Sequence, residues 1–320
     1  MLTYLQAVVI GLLQGVTELF PVSSLGHSVL LPAWLGGDWQ HLVTESATDT
    51  SEHSSYLAFI VALHVATAVA LLIFFRNDWV RIVTGFLRTV RPSVAARRLV
   101  VRDPDERLAW LIIIATIPVG ITGLALEHSL RTLFAKPLAA AVFLTVNGVI
   151  LLAGERLRRL APVDADKDAA VLTVVPTTTP DAARAGIEKT RRTRRLATLH
   201  YREAGIIGLF QTFALLAGIS RSGIAMVGGL LRGLSHPDAA RFSFLLATPV
   251  ILAAGLLKLP TLAGPAGAHI HGQVLAGAVV AGLASYVAVR WLTRYFETRT
   301  LTPFALYCLL AGIASIIHFA

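Results

Sequence analysis

Apolar residues occur along this chain in long runs that are separated by short polar segments. Several of these runs are long enough to cross a hydrocarbon core about 30 Å thick as α-helices. The pattern therefore predicts an all-α polytopic membrane protein with about six full transmembrane spans. The six runs are Tyr56–Phe75, Leu108–Leu126, Pro137–Ala153, Phe242–Leu259, Val274–Leu292 and Pro303–Phe319.

Two further apolar segments, residues 2–35 and 203–233, are interrupted by proline, glycine, serine and charged residues. We expect both to be broken, re-entrant helical segments. Irregular backbone at membrane depth is tolerated only where it is buried in protein or lines a water-filled cavity. The interruptions therefore indicate where a polar site lies.

The two interrupted segments are copies of one another. An offset of 197 residues takes Tyr4–Gly26 onto Tyr201–Gly223 without a gap, with identities that include tyrosine, glutamine and serine. Three spans follow each copy, and an odd number of crossings between the copies inverts the second. We therefore expect an inverted-topology repeat, which places a polar site near the bilayer midplane. The predicted units are a first repeat at 1–153, a basic cytoplasmic loop at 154–202 and a second repeat at 203–320.

Charge adds an orientation to this picture. Charged residues make up only 15% of the chain, against roughly 25% in soluble domains. The formal net charge is +9, but the basic residues cluster between spans, in predicted loops around 76–107 and 154–202. Such clusters favour the cytoplasmic side, so segments 36–55 and 260–272 are expected outside. This placement also means that no nucleic acid partner is expected.

The first interrupted segment carries a carboxylate and an imidazole. Gln14 and Glu18 lie four residues apart and share a helix face. Pro21 then ends the helix. Serine in the following turn caps the next helix, whose N-terminal amides favour an anion. The turn and the start of that helix contain Ser23, Ser24, Gly26 and His27.

The second interrupted segment carries a cation. Arg221 lies between Ser220 and Ser222, and Gly218 and Gly223 flank the three. Glycine allows close approach of the backbone to a ligand, and the guanidinium fork matches phosphate oxygens. A carboxylate, an imidazole, hydroxyls, helix N-termini and a guanidinium together suit phosphoryl chemistry.

Structural interpretations of the same residues stay open at this point. Glu18 and Arg221 could form a purely structural ion pair, since an unpaired charge in a membrane is unfavourable. Ser23 and Ser220 could serve only as helix caps, and His27 could be a satisfied core histidine. Other polar residues within the spans, His64 and Asn147, are interpreted as structural.

At these two segments the chain resembles the undecaprenyl-diphosphate phosphatase (bacitracin-resistance) family. Its first motif appears here as Gln14, Glu18, Pro21, Ser23, Ser24, Gly26 and His27, and its second as AGISRSG from Ala217 to Gly223. Ala217 stands where the family has proline. The similarity extends over nearly the whole chain, including ATIP at Ala115–Pro118 and RFSFLLATP at Arg241–Pro249.

The resemblance implies removal of the terminal phosphate from a C55 polyisoprenyl diphosphate, which returns the monophosphate carrier to cell-wall synthesis and confers bacitracin resistance. It implies dependence on Mg²⁺ or Ca²⁺, with Glu18 as a ligand, and a site in the bacterial cytoplasmic membrane open to the periplasm or exterior. Expected partners are the lipid substrate, the bilayer and a second copy in a homodimer.

Residue roles follow the same resemblance. Glu18, Ser24, His27 and Arg221 are the expected catalytic residues, and Ser24 and His27 are expected to act as a unit. Gln14 takes the variable first position of the acidic motif. It joins the expected phosphate-binding set, which is Gln14, Ser23, Gly26, Ser220, Ser222 and Gly223.

A lipid-carrier flippase or secondary transporter is the alternative function, because inverted repeats with broken helices are a transporter architecture. A phosphatase additionally needs a nucleophile or a general base. The serine–histidine turn beside Glu18 favours the enzyme.

Overall fold

The computed structural model describes residues 2–41, 55–134, 136–160, 196–262 and 270–320, and the long regular elements in these ranges are all α-helices. The first half of the chain contains α1 (Tyr4–Thr17), α2 (Ser24–Leu35), α3 (Ser55–Phe74), α4 (Arg76–Ala96), α5 (Pro104–Phe134) and α6 (Pro137–Leu160). The second half contains α7 (Tyr201–Thr212), α8 (Arg221–Leu231), α9 (His236–Leu262), α10 (His271–Thr298) and α11 (Thr302–Phe319).

Both predicted interruptions are confirmed. The first helix pair, α1 and α2, is broken between Thr17 and Ser24, and the second, α7 and α8, between Thr212 and Arg221. Equivalent serines cap the second helix of each pair: Ser23 Oγ accepts from the Gly26 amide and Ser220 Oγ accepts from the Gly223 amide. The two copies therefore share their local hydrogen bonding as well as their sequence.

Equivalent spans run antiparallel, as the predicted inversion requires. Between α3 and α9, Gly255 lies against Val65 and the rings of Phe75 and Phe244 are 6.5 Å apart. Between α6 and α11, Gly148 lies against Ala305 and Gly312 against Thr145. In each pair, residues with higher numbers in one helix contact residues with lower numbers in the other helix, so the two helices are antiparallel. The all-α, inverted-repeat membrane fold is thereby confirmed.

Each repeat packs its first broken helix against a span of the other repeat. Helix α1 contacts α10, and α7 contacts α5. Gly11 makes the first contact, where an added Cβ would overlap the carbonyl oxygen of Gly277. Its equivalent Gly208 makes the second, where an added Cβ would overlap the carbonyl oxygen of Ala115. Glycine at these two positions lets the helix backbones touch, which fixes each broken segment against a span of the other repeat.

Five described helices are long and apolar enough to cross a membrane, and α3 gives a sixth if it is counted together with α4. The two helices meet at Phe75 with a bend of 86°. Residues 76–96 were expected in a loop, and that expectation is wrong, because they form α4. Residues 42–54, 161–195 and 263–269 lie outside the described ranges. The sides assigned to 36–55, 154–202 and 260–272, and the repeat boundaries, therefore stay predictions.

Candidate active site

The two broken turns meet in the protein interior, where Asn147 of α6 joins them. Its Nδ2 donates to the carbonyl of Pro21 at 3.0 Å, and its Oδ1 accepts from the amide of Ser220 at 3.0 Å. Ser23 Oγ accepts from the Gly218 amide at 3.1 Å. The structural interpretation of Asn147 is confirmed, because its amide fixes one turn against the other.

The Glu18 carboxylate is the centre of the site and is buried. Its Oε1 accepts from Arg221 Nη2 of the opposite turn. Its Oε2 accepts from Gln14 Nε2 at 3.0 Å and from Ser24 Oγ. A carboxylate is stable in the membrane interior only when its charge is balanced and its lone pairs are satisfied. Here both conditions are met by residues from two repeats.

Arg221 is the first residue of α8. Besides its contact with Glu18, the side chain makes a second one, in which Nη1 donates to the carbonyl of Ala247 at 3.3 Å. Guanidinium has five N–H donors in a planar fork. The contacts with Glu18 and Ala247 use one hydrogen on each terminal nitrogen. The side chain also lines a cavity, so the fork has donors for a ligand there.

A cavity of about 320 Å³ opens beside these groups. Its polar lining centres on Ser24, His64 and Arg221, which all contact Glu18. The other polar residues in the lining are Ser23, Gln211 and Ser220. The remaining wall is apolar and includes Ile60, Val61, Val119, Leu215, Val250 and Ile251. A polar lining next to an apolar wall suits a ligand with a charged head and a hydrocarbon tail.

Five of the six predicted phosphate-binding residues, all except Gln14 of α1, divide into two groups. Ser23 and Ser220 line the cavity and also cap helices. The amides of Gly26 and Gly223 are used in those caps. Ser222 Oγ donates to the carbonyl of Phe20 at 3.1 Å. The last three residues therefore support the turns, and their predicted contact with phosphate is untested.

No described hydrogen bond joins His27 to Ser24, although the sequence predicts that the two residues act as a unit. Its Nδ1 lies 2.7 Å from the carbonyl oxygen of Ser23, and its Nε2 lies 2.7 Å from the Tyr307 hydroxyl. The ring also stacks on Tyr307 with centroids 5.6 Å apart. Both nitrogens are thus occupied, because α11 supplies a partner that the local motif could not reveal. Ser24 instead donates to Glu18.

His64 of α3 is the site residue that sequence reasoning missed. Its Nδ1 lies 2.8 Å from the carbonyl oxygen of Ile60, and its Nε2 lies 3.3 Å from Glu18 Oε2. A carbonyl and a carboxylate both accept hydrogen bonds, so this geometry favours a hydrogen on each ring nitrogen. The expected structural role is incomplete, because His64 also contacts the central carboxylate. A lone histidine within a span gave no local signal.

A divalent cation has few protein ligands available. The described ranges contain no group of three or more His, Cys, Asp or Glu residues that could hold a metal. Two oxygen-bearing groups still suit a hard cation. One is the Glu18 carboxylate, and the other is Gln14 Oε1, which is buried and has no hydrogen-bond partner among the described residues. Mg²⁺ is often bound by one or two protein oxygens together with substrate phosphates and water. The residues present fit a site of that kind.

Fold and site together define an inverted-repeat integral membrane protein with a buried carboxylate–guanidinium centre. The profile of the family described as bacitracin resistance protein BacA matches residues 7–314. The chain belongs to this family.

Several named relatives cover almost the whole chain. An undecaprenyl-diphosphatase 2 of Frankia alni is 63% identical over 100% of this chain and 98% of its own length. An undecaprenyl-diphosphatase of Mycolicibacterium paratuberculosis is 58% identical with the same coverage. An undecaprenyl-diphosphatase 2 of Chromobacterium violaceum is 41% identical over 98% of each chain.

Proposed function

We propose that this protein hydrolyses undecaprenyl diphosphate to undecaprenyl phosphate and inorganic phosphate. One observation carries the proposal: Glu18, Ser24 and Arg221 converge in the polar lining of a cavity whose remaining wall is apolar. The names of the relatives, undecaprenyl-diphosphatase, supply the substrate. The product returns to cell-wall synthesis as the lipid carrier, which accounts for bacitracin resistance.

Substrate binding divides between the two parts of the cavity. The diphosphate lies at the polar lining, where Arg221 donates to its oxygens in the bidentate manner that suits phosphate. Entry of the anion draws the guanidinium from its contact with Glu18, and the carboxylate is then free to accept a proton. The first isoprene units lie on the apolar wall, where α3 and α9 contribute Ile60, Val61, Val250 and Ile251.

Glu18 is the proton acceptor in the reaction. Ser24 Oγ already donates to Glu18 Oε2, so the carboxylate can remove the proton from the serine or from a water that the serine holds. The oxygen so activated attacks the terminal phosphorus. The phosphoanhydride bond breaks, and undecaprenyl phosphate leaves with the bridging oxygen while Arg221 balances its developing charge. If serine attacks, water hydrolyses the resulting seryl phosphate in a second step.

The two histidines have different positions in this scheme. His64 contacts Glu18 Oε2 and orients the carboxylate toward Ser24. His27 fixes the first turn through Ser23 and Tyr307, which holds that turn against α11. Its proposed role is therefore to position the turn.

A divalent cation, Mg²⁺ or Ca²⁺, is part of the proposal. Glu18 and Gln14 would hold it together with phosphate oxygens. When bound, it supplies charge neutralisation to the diphosphate.

The protein is proposed to lie in the bacterial cytoplasmic membrane with its catalytic face toward the periplasm or exterior. The support is the distribution of arginine: α4 is strongly basic, whereas residues 36–55 contain no lysine or arginine. Positive residues favour the cytoplasmic side. A homodimer stays a prediction.

Phosphate release from purified full-length protein tests the proposal. With polyisoprenyl diphosphate in detergent we expect release of one phosphate per lipid, loss of release after chelation, and recovery with Mg²⁺ or Ca²⁺. The Glu18→Gln variant is the matched control. Transfer of the intact diphosphate lipid across vesicles without phosphate release would favour the flippase instead.

A further inference from the structure

Helix α4 is an addition to the repeat. Among the described helices, the second repeat has no equivalent of it, because α9 is followed by the span α10. The helix begins one residue after α3 ends and turns away from it by 86°. A spanning helix is tilted by about 20° from the membrane normal on average. Because α3 crosses the membrane and α4 is nearly perpendicular to α3, α4 runs along the membrane surface.

One face of α4 is docked on the protein. Ile82, Gly85 and Thr89 are buried on this face. Thr89 Oγ1 accepts from the Trp110 indole of α5 at 3.0 Å. A Cβ added at Gly85 would lie 2.9 Å from the backbone nitrogen of Glu106, so the helix sits directly on the start of α5.

An ion pair fixes the start of α4 to a second helix. Asp78 accepts from Arg241 of α9 at 2.5 Å and from Arg81 at 2.6 Å. Two turns further along α9, the carbonyl of Ala247 accepts from Arg221. The orientation of α4 is thus set by contacts with two spans, so its remaining faces have defined directions.

A second face of α4 is apolar and exposed. Its residues recur at spacings of three and four, which places them in one stripe. Their exposed fractions range from 39% to 74%. The stripe consists of Val80, Val83, Leu87, Val90 and Val94. On a helix that lies along the membrane surface, this stripe faces the acyl chains at the headgroup boundary.

The third face and the end of α4 are basic. Residues 76–98 contain six arginines and a single acidic residue, Asp78, which already contacts Arg81 and Arg241. The arginines are Arg76, Arg81, Arg88, Arg91, Arg97 and Arg98, and all six are exposed. Guanidinium binds phosphate oxygens through two parallel hydrogen bonds, and basic segments at a membrane surface attract anionic lipids.

We propose that α4 is an interfacial helix that binds the headgroups of anionic phospholipids. Its valine and leucine stripe enters the headgroup boundary, and its arginines contact the phosphate groups of acidic lipids beside it. The surface is distinct from the catalytic cavity, and the proposal does not depend on the enzymatic activity.

Energy transfer to labelled lipids tests the proposal on the full-length protein. A donor fluorophore is attached to Leu87→Cys, on the exposed stripe, while Cys308 is fully buried and stays in place. The protein is reconstituted in phosphatidylcholine vesicles with traces of acceptor-labelled phosphatidylglycerol or acceptor-labelled phosphatidylcholine. At low salt we expect at least about twofold more transfer to the acidic lipid. The preference should disappear near 1 M salt, where the Debye length is about 3 Å.

Two variants of equal charge separate α4 from the rest of the molecule. The first replaces Arg76, Arg88, Arg91 and Arg98 with glutamine and leaves Arg81, which binds Asp78. The second replaces the exposed Arg156, Arg290, Arg294 and Arg299 with glutamine. We expect the preference to fall to about onefold in the first variant and to persist in the second. Two results would overturn the proposal. One is equal transfer to both lipids in the labelled protein that keeps all its arginines, and the other is an equal loss of the preference for the acidic lipid in the two variants. The salt series keeps the test decisive even if the first variant fails to fold.

Discussion

Glu18 and Arg221 form an ion pair across the two repeats, although 203 positions separate them in the sequence. Each residue belongs to a broken turn, and Asn147 holds those turns together. The pair therefore exists only when both halves of the chain are assembled. This arrangement places the essential charges of the proposed reaction at the contact between the repeats.

Removing either charge should slow phosphate release strongly. We expect Glu18→Gln and Arg221→Ala each to lower kcat by about 10²–10³, which is typical when a charge contact in the transition state is lost. The measurement is phosphate release from polyisoprenyl diphosphate, with thermal unfolding in detergent as the control for folding.

The Glu18→Gln/Arg221→Gln double variant separates catalysis from a purely structural ion pair. Replacing both members of a buried pair with neutral groups is often tolerated in stability, whereas removing one member leaves an uncompensated charge. We expect the double variant to be folded and inactive. Recovery of activity in the double variant would mean that the pair is only structural.

Ser24 and His27 should contribute independently. Ser24→Ala removes the hydroxyl that donates to Glu18 and should lower kcat by at least about 10². His27→Ala loosens the turn through Ser23 and Tyr307 and should have a smaller effect. Residues that act as one unit give non-additive losses, so we expect the two losses to multiply in the double variant. A double variant no worse than Ser24→Ala would restore the pairing expected from the sequence.

The glycines that join the repeats should not tolerate a methyl group. Gly11→Ala and Gly208→Ala push against the carbonyls of Gly277 and Ala115, and overpacking of this kind costs about 1–3 kcal/mol. Gly120→Ala in α5 is the matched control, because a Cβ there meets no atom within 4 Å. Thermal unfolding in detergent should show lower midpoints for the first two variants and an unchanged or higher midpoint for the control.

The proposed orientation can be tested with thiol labelling in intact cells. Asp38 and Arg98 are both exposed and lie on opposite sides of α3. The Asp38→Cys variant should react with a membrane-impermeant maleimide added outside, and Arg98→Cys should react only after the cells are opened. The reverse result would invert the topology and place the catalytic face inside.

The sequence predicted those features that depend on local pattern. Apolar run length predicted the spans, and the repeated turns predicted the convergence of Glu18 and Arg221. It could not predict α4, because an amphipathic helix with many arginines resembles a loop when only spanning segments are sought. It also missed contacts that depend on packing between distant helices, such as His27 with Tyr307, which are 280 positions apart.

His64 should act as a positioning residue for Glu18. Its Nε2 lies 3.3 Å from Oε2, the oxygen that also accepts from Ser24. In the His64→Ala variant the carboxylate loses one of the donors that orient it toward Ser24, and we expect kcat to fall about tenfold with little change in KM. A loss in kcat alone indicates an interaction used in the transition state. His64→Gln keeps a donor of similar reach and should recover part of the activity. A rise in KM at constant kcat, with no recovery in His64→Gln, would assign His64 to the cavity wall instead.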